Sequence, residues 1–126
     1  MTALTQVLVV EDEAVIRTAL KRLLERHEYQ VSEAGSVKES LDNFNMDDFD
    51  VIISDLRLPG APGTDLIKAT STPVLIMTSY SSIRSAIDSM KLGAVDYIAK
   101  PFEHNEIIES LAKVIREHGN RKQDIP

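Results

Sequence analysis

Short apolar runs alternate along the chain with segments whose apolar residues recur at helical spacing. Three runs are continuous and rich in β-branched residues, which is typical of strands covered on both faces. They are Val7–Val10, Val51–Ile53 and Val74–Met77. A fourth run at Val95–Ile98 and an alternating, less apolar segment at Gln30–Ala34 complete five predicted strands, and the latter suits a sheet edge.

Between the runs, apolar residues repeat at i, i+3 and i+4 and predict four amphipathic helices. The four stripes are Ile16, Ala19, Leu20, Leu23 and Leu24; Val37, Leu41 and Phe44; Ile83, Ala86, Ile87 and Met90; and Ile108, Leu111, Ala112 and Ile115. Ser36 and Glu39 form a capping-box pattern before the second stripe, and Gly93 is suited to end the helix that carries the third stripe. A further, weaker helix of about two turns is predicted for Thr64–Thr70.

The alternation of strand and helix predicts an α/β fold, with one five-stranded parallel sheet and helices on both faces. A length of 126 residues corresponds to one domain. We expect the domain to cover residues 5–118. The polar segment 119–126 is expected to be a tail or the start of a linker.

The amino-acid composition argues against several classes of function. With 14 basic and 20 acidic residues the net charge is −6, and basic residues nowhere cluster beyond pairs, so we expect no direct nucleic-acid binding by this domain. The absence of cysteine excludes disulfides, thiolate zinc sites and a cysteine nucleophile. Neither a secretory signal nor an apolar stretch near the roughly 20 residues of a membrane span is visible. We expect a cytoplasmic domain that does not contact a membrane.

Polar side chains follow four of the predicted strands, at the sheet edge where open α/β folds bind ligands. They are Glu11, Asp12, Glu13, Asp55, Thr78, Ser79 and Lys100. Crowded carboxylates favour a bound cation, and oxygen ligands without His or Cys suit Mg²⁺. Asp55, ionised at neutral pH, has the chemistry to attack a phosphoryl group, whose oxygens Thr78 and Lys100 would stabilise.

Each of these residues also has a structural interpretation, and those alternatives stay open at this point. Asp12 or Glu13 alone suits a helix N-cap, and Asp55 before a Pro-Gly loop suits a turn. Thr78 alone suits a cap, and Lys100 alone suits a solvated surface position. Together the structural interpretations require four coincidences at one sheet edge.

The chain resembles the receiver domain of two-component response regulators over nearly its whole length. The motifs are Val9–Glu13, Ser54–Gly60, Ile76–Tyr80 and Gly93–Phe102. The resemblance implies a flavodoxin-like (βα)5 fold with strand order 2-1-3-4-5.

The resemblance also implies roles for individual residues. Asp55 would be the phosphoacceptor, and Asp12 would bind Mg²⁺ directly. Glu11 would assist through water, and the backbone carbonyl of Arg57 would be a further metal ligand.

The resemblance also implies which residues respond when Asp55 is phosphorylated. Thr78 would hydrogen-bond the phosphoryl group, Lys100 would pair with it, and Tyr97 would turn inward as Thr78 moves. The Lys100–Pro101 peptide bond is typically cis in the family.

A sensor histidine kinase is the implied phosphodonor, and an effector domain or partner protein, possibly in transcription, is the implied output. The domain would catalyse only its own phosphotransfer and dephosphorylation. The fourth helix, fifth strand and fifth helix would change and form a docking or homodimer surface. Its candidate exposed residues are Arg84, Asp88, Lys91, Asp96 and Glu106.

Some positions depart from the family pattern. Pro62 stands where many members have Asp, and the Asp55–Thr78 interval is short, which predicts a truncated third helix. The bulky residues Arg57 and Tyr80 flank the acceptor, and we expect them to prolong the life of the acyl phosphate.

Other classes remain as alternatives. A pseudo-receiver would keep the fold as a phosphorylation-independent interaction module, although the intact set of Asp12, Asp55, Thr78 and Lys100 argues against it. A Mg²⁺-dependent phosphatase would normally carry a second acid where Arg57 stands. A nucleotide-binding protein is disfavoured because phosphate-binding glycine loops are missing.

Overall fold

Strands and helices alternate along the computed structural model, which describes residues 4–79 and 83–118. In chain order the elements are β1 (Thr5–Val10), α1 (Ala14–Arg26), β2 (Tyr29–Ala34), α2 (Val37–Asn43), β3 (Val51–Asp55), α3 (Thr64–Ala69), β4 (Val74–Ser79), α4 (Ile83–Leu92), β5 (Asp96–Lys100) and α5 (His104–His118). A 3-10 turn that the apolar pattern does not predict, Met46–Asp48, precedes β3. The predicted tail at 119–126 lies outside the described residues.

The five strands form one parallel sheet in the order β2-β1-β3-β4-β5, which confirms the predicted fold class and strand order. The chain leaves β1 for one edge and returns beside it as β3, so the direction of winding reverses between these two strands. Ligands in such sheets bind beyond the carboxyl ends of the strands at this reversal. Glu11 follows β1 and Asp55 ends β3, so both lie at that point.

Two apolar clusters, one on each face of the sheet, hold the helices. On one face α1 and α5 cover the strands, with Leu24 and Leu111 fully buried against residues such as Ile53. On the other face α2 and α3 contribute Val37 and Leu66. Burying each such side chain contributes about 1.5–3 kcal/mol, so the two clusters stabilise the packing of the helices on the sheet whose edge carries the site.

All four predicted helix stripes differ in part from the buried faces, and in α1 the predicted Ala19 is exposed. In α5 the buried residues are Ile107, Leu111 and Val114, whereas Ala112 is exposed. The buried face is therefore centred one position before the predicted one. In α4, Ile87 and Met90 are 46% and 37% exposed. The reason is that α4 rests on the sheet through small buried residues, which turns its larger apolar side chains outward.

The ends of the short helices largely follow the predicted caps. The Ser36 hydroxyl accepts a hydrogen bond from the Glu39 backbone N–H at 3.0 Å, but the Glu39 carboxylate bonds Gly35 rather than Ser36. Gly93 follows α4 with φ +118°, as its predicted role requires. The third helix is short, as predicted, at 6 residues.

The short α3 explains a further difference, the 46% exposure of Leu41. Leu41 was predicted to lie in a buried stripe, but it lines an open groove between α2 and α3. No helix among the described residues is long and apolar enough to cross a membrane.

Candidate functional site

Three carboxylates meet beyond the carboxyl ends of β1 and β3. One oxygen from each of Glu11, Asp12 and Asp55 lies within 4.8 Å of the others. Glu11 is fully buried and Asp55 is 9% exposed, whereas Asp12 is exposed to solvent. The structure thus brings together the carboxylates that the sequence places after these two strands. Clustered oxygens without His or Cys fit Mg²⁺, which takes one or two carboxylates and keeps other positions for water and phosphate.

The buried Glu11 carboxylate is satisfied on both of its oxygens. Its Oε2 accepts a hydrogen bond from the Glu13 backbone N–H at 3.1 Å, and its Oε1 accepts one from Lys100 at 2.9 Å. A buried ionised carboxylate is costly unless it is paired and hydrogen-bonded. Glu11 therefore fixes the start of the β1–α1 loop and holds the end of β5 at the same time.

The Lys100 ammonium pairs with two of these carboxylates. Its Nζ lies 2.9 Å from Glu11 Oε1 and 2.8 Å from Asp55 Oδ2, so a single ammonium bridges the ends of three strands. Partial burial alone lowers the pKa of this ammonium. The hydrogen bonds and charges of Asp55 and Glu11 outweigh that effect, and the pKa of Lys100 is raised above its ordinary value. Lys100 is thus a permanent positive charge beside Asp55 at neutral pH.

Asp55 is oriented by its own loop as well as by Lys100. Its Oδ1 accepts a hydrogen bond from the Arg57 backbone N–H at 3.3 Å. The loop then folds back, and Gly63 donates its N–H to the Leu56 carbonyl at 3.0 Å. A Cβ on Gly63 would lie 2.2 Å from the Asp55 carbonyl oxygen, so the close approach requires glycine.

Thr78 lies at the end of β4 near Asp55 and is 2% exposed. Its hydroxyl donates a long hydrogen bond of 3.4 Å to the Ser79 carbonyl. A cavity of about 180 Å³ is lined by Asp55, Arg57, Thr78, Ser79 and Lys100. The arrangement places a carboxylate, a hydroxyl and an ammonium around one small polar space.

The sequence is similar to a known protein family. The sequence model described as the response regulator receiver domain matches residues 7–112. The chain belongs to this family. As a receiver domain it is part of two-component signalling and is not an enzyme of the conventional kind.

The receiver domain is similar to parts of longer regulators. It is 33% identical over 122 residues to the transcriptional regulatory protein FixJ of Bradyrhizobium diazoefficiens, covering 93% of this chain and 60% of FixJ. It is 32% identical over 124 residues to the response regulator PilR of Pseudomonas aeruginosa, covering 94% of this chain and 28% of PilR. The chain thus spans less than two thirds of the length of these relatives.

Solved structures agree with the fold. The chemotaxis response regulator CheY4 of Vibrio cholerae matches with a TM-score of 0.80 and 29% identity, covering 89% of this chain and 99% of CheY4. Full-length FixJ from B. japonicum matches with a TM-score of 0.83 and 29% identity, covering 97% of this chain and 63% of FixJ.

The other residues to which the resemblance assigns a role lie around the cavity or on β5. Arg57 lines the cavity with an exposed side chain, and Tyr97 on β5 is partly buried against the cluster on the α2–α3 face. The Lys100–Pro101 bond is cis, as the resemblance implies. Tyr80 lies outside the described residues.

The predicted docking surface is mostly exposed. Arg84, Asp88, Lys91 and Glu106 are exposed to solvent. Asp96 is a correction, because it is partly buried and its Oδ1 accepts a hydrogen bond from the Tyr97 backbone N–H at 2.8 Å.

One contact of the site has no signal in the apolar pattern. Arg17 in α1 donates a hydrogen bond to the Glu11 backbone carbonyl at 2.6 Å. The residue stands four positions after Glu13 within an amphipathic helix, where a polar residue is unremarkable by sequence alone.

Proposed function

We propose that this receiver domain is a phosphorylation-activated switch with Asp55 as its phosphoacceptor. The observation that carries the proposal is the bridge from Lys100 to Glu11 and Asp55, at 2.9 Å and 2.8 Å. A partly buried cation beside two carboxylates stabilises an acidic pocket and also supplies charge for a phosphoryl group. The phosphodonor is a phosphorylated histidine of a partner sensor kinase.

The transfer exchanges one bond for another. A carboxylate oxygen of Asp55 forms a bond to phosphorus as the bond between phosphorus and the histidine nitrogen breaks, and the nitrogen keeps that electron pair. The product is an acyl phosphate. Lys100 and Thr78 line the cavity beside Asp55 and stabilise the phosphoryl oxygens, since charge stabilisation by positioned groups is the main requirement of this chemistry.

Mg²⁺ is the proposed cofactor. The residues that would hold it are Asp12 and Asp55 directly, Glu11 through water, and the backbone carbonyl of Arg57. The bound ion would supply positive charge against the oxygens of the phosphoryl group. The cluster of carboxylate oxygens within 4.8 Å supports this assignment.

The acyl phosphate would bias an existing equilibrium between two conformations. Phosphorylation replaces the Asp55 carboxylate by an acyl phosphate and so adds roughly one net negative charge, which draws Thr78 inward and lets Tyr97 follow. The surface of α4, β5 and α5 then changes toward an effector domain, a partner protein or a second copy. Relatives named as transcriptional regulators support an output in transcription. We place the domain at residues 5–118 and in the cytoplasm.

The test is the intact mass of the protein after incubation with a small acyl-phosphate donor and Mg²⁺. One phosphoryl adduct is expected, absent with a chelator and absent from Asp55→Asn. Asp48→Asn, at an exposed aspartate of the 3-10 turn, is the matched control and should accept the group normally. An equal adduct on Asp55→Asn, or no adduct from either the small donor or a phosphorylated kinase, would overturn the proposal.

A further inference from the structure

Arg17 ties the loop that carries the acidic cluster to the end of β2. Its Nη1 donates to the Glu11 backbone carbonyl at 2.6 Å, and its Nε lies 3.5 Å from Glu33 Oε1. The side chain is only 22% exposed, although it belongs to a surface helix. One guanidinium thus connects α1, the end of β1 and the neighbouring strand.

The Glu11 carbonyl lies where the sheet can no longer supply a donor. The Glu11 N–H still donates to the Ala34 carbonyl at 3.0 Å, one residue past the end of β1. β2 ends at Ala34 and the chain continues through Gly35 into α2. The guanidinium of Arg17 therefore takes the place of the missing strand donor. Such a bond to a charged donor is stronger than a neutral one.

The same carbonyl belongs to the peptide unit that joins Glu11 to Asp12. Because a peptide unit is planar, fixing its carbonyl also fixes the direction in which the chain enters Asp12. The Asp12 carboxylate is exposed and makes no hydrogen bond to any other residue in the ranges 4–79 and 83–118. Its position beside Glu11 and Asp55 consequently depends on the backbone.

We propose that Arg17 is a positioning residue for the cation site, acting through the peptide between Glu11 and Asp12. The inference rests on the proposed function, in which Asp12 is a direct Mg²⁺ ligand. Holding a ligand in place before binding lowers the ordering cost that binding must overcome. Arg17 would thus raise Mg²⁺ affinity without touching the reacting phosphoryl group.

If Arg17 only positions the site, its replacement should lower the affinity for Mg²⁺ without lowering the phosphorylation rate at saturating Mg²⁺. Arg17→Met should weaken Mg²⁺ binding by about 10-fold, the lower end of what loss of a supporting contact costs a metal site. The rate of phosphorylation by a small acyl-phosphate donor should return to the wild-type plateau at saturating Mg²⁺. Arg17→Lys keeps the charge but not the paired planar donors, so its Mg²⁺ affinity should be intermediate.

Two variants serve as controls. Glu33→Gln removes the charge that faces Arg17 but leaves the bond to the Glu11 carbonyl, so Mg²⁺ affinity should stay within about twofold, as expected for a long, partly exposed ion pair. Arg22→Met removes an exposed arginine from the same helix and should leave both affinity and rate unchanged.

The experiment is calorimetric titration of the whole chain with Mg²⁺, with phosphorylation rates measured over the same Mg²⁺ range. Wild-type affinity for Arg17→Met, or a lower plateau rate with unchanged affinity, would overturn the role of Arg17 while leaving the proposed function intact. A wild-type chain that binds no Mg²⁺ would overturn both. Should Arg17→Met fail to fold, Arg17→Lys decides: weaker binding at an unchanged plateau rate supports the role, and unchanged binding refutes it.

Discussion

Lys100 and Asp55 lie 45 residues apart in the chain, and the ammonium nitrogen of Lys100 is 2.8 Å from Oδ2 of Asp55. The parallel sheet creates this contact, because it brings the carboxyl ends of β3 and β5 to one edge on either side of β4. The same ammonium bonds Glu11 at the end of β1. The pair therefore links the stability of the fold to the chemistry proposed for the site.

Replacing Lys100 by Met should destabilise the protein by about 1–3 kcal/mol at neutral pH, since it leaves buried carboxylate oxygens without a donor. The pKa of Lys100 is raised in the folded state. The stabilisation is therefore fully present below about 10.5, the ordinary pKa, and is lost as the pH rises through the higher folded pKa. Urea unfolding at neutral and alkaline pH measures the difference.

The matched control is Lys113→Met, at an exposed position of α5. It should change the free energy of unfolding by at most about 0.5 kcal/mol. The difference in the free energy of unfolding between wild type and Lys100→Met should become smaller at alkaline pH. A difference that stays the same would contradict the assignment of the stabilisation to the ammonium.

Gly63→Ala should disturb Asp55 directly. The new Cβ would lie 2.2 Å from the Asp55 carbonyl oxygen and 2.7 Å from Ser54 Oγ, so the loop after β3 must shift. We expect a loss of about 1–3 kcal/mol in the free energy of unfolding and slower phosphorylation of Asp55. Gly35→Ala, whose Cβ would meet atoms no closer than 3.6 Å, is the control. Equal stability of the two variants would refute the close-approach argument.

Arg57→Ala tests the expected protection of the acyl phosphate. The exposed Arg57 side chain stands at the cavity beside Asp55, where it would restrict attacking water. The phosphoryl adduct should therefore disappear several-fold faster from Arg57→Ala than from wild type, as followed by intact mass over time. The same half-life in both proteins would show that Arg57 only points into solvent.

Ser36→Ala removes the hydroxyl that accepts the Glu39 N–H at the start of α2. Loss of such a cap should lower the free energy of unfolding by about 0.5–2 kcal/mol. The site should keep its phosphorylation rate, because α2 contributes no residue to the cavity around Asp55. Thermal unfolding and donor phosphorylation of the same samples check both statements.

The parallel sheet and the position of the site could be predicted from the sequence because they follow from simple periodicities, whereas the strand order was implied by the resemblance to receiver domains. Continuous apolar runs mark buried strands, and parallel strands bring their carboxyl ends together. Polar residues just after the apolar runs, such as Asp55 and Lys100, were therefore expected to lie near one another.

The buried faces of the helices were harder to predict, because the spacing of apolar residues does not show which element packs against them. Leu41 has helical spacing with Val37, but the six-residue α3 is too short to cover it. In α4 the contact with the sheet runs through Ala86 and Ser89, whose small size carries little signal in an apolar pattern.

The finer contacts of the site depend on backbone geometry rather than on residue type. The bond from Arg17 to the Glu11 carbonyl exists because β2 ends at Ala34 and provides no donor beyond that point. The full burial of Glu11 likewise depends on Lys100 reaching it from β5. Neither relationship leaves a local trace in the sequence.

The central claim is that Asp55 carries the phosphoryl group. The most direct measurement is to phosphorylate the chain with a small acyl-phosphate donor and Mg²⁺, reduce the acyl phosphate with borohydride, and locate the resulting homoserine by peptide mass spectrometry. Homoserine is expected at position 55 and at no other aspartate. Homoserine at position 12 instead, or none after a phosphoryl adduct has been seen in the intact mass, would contradict it.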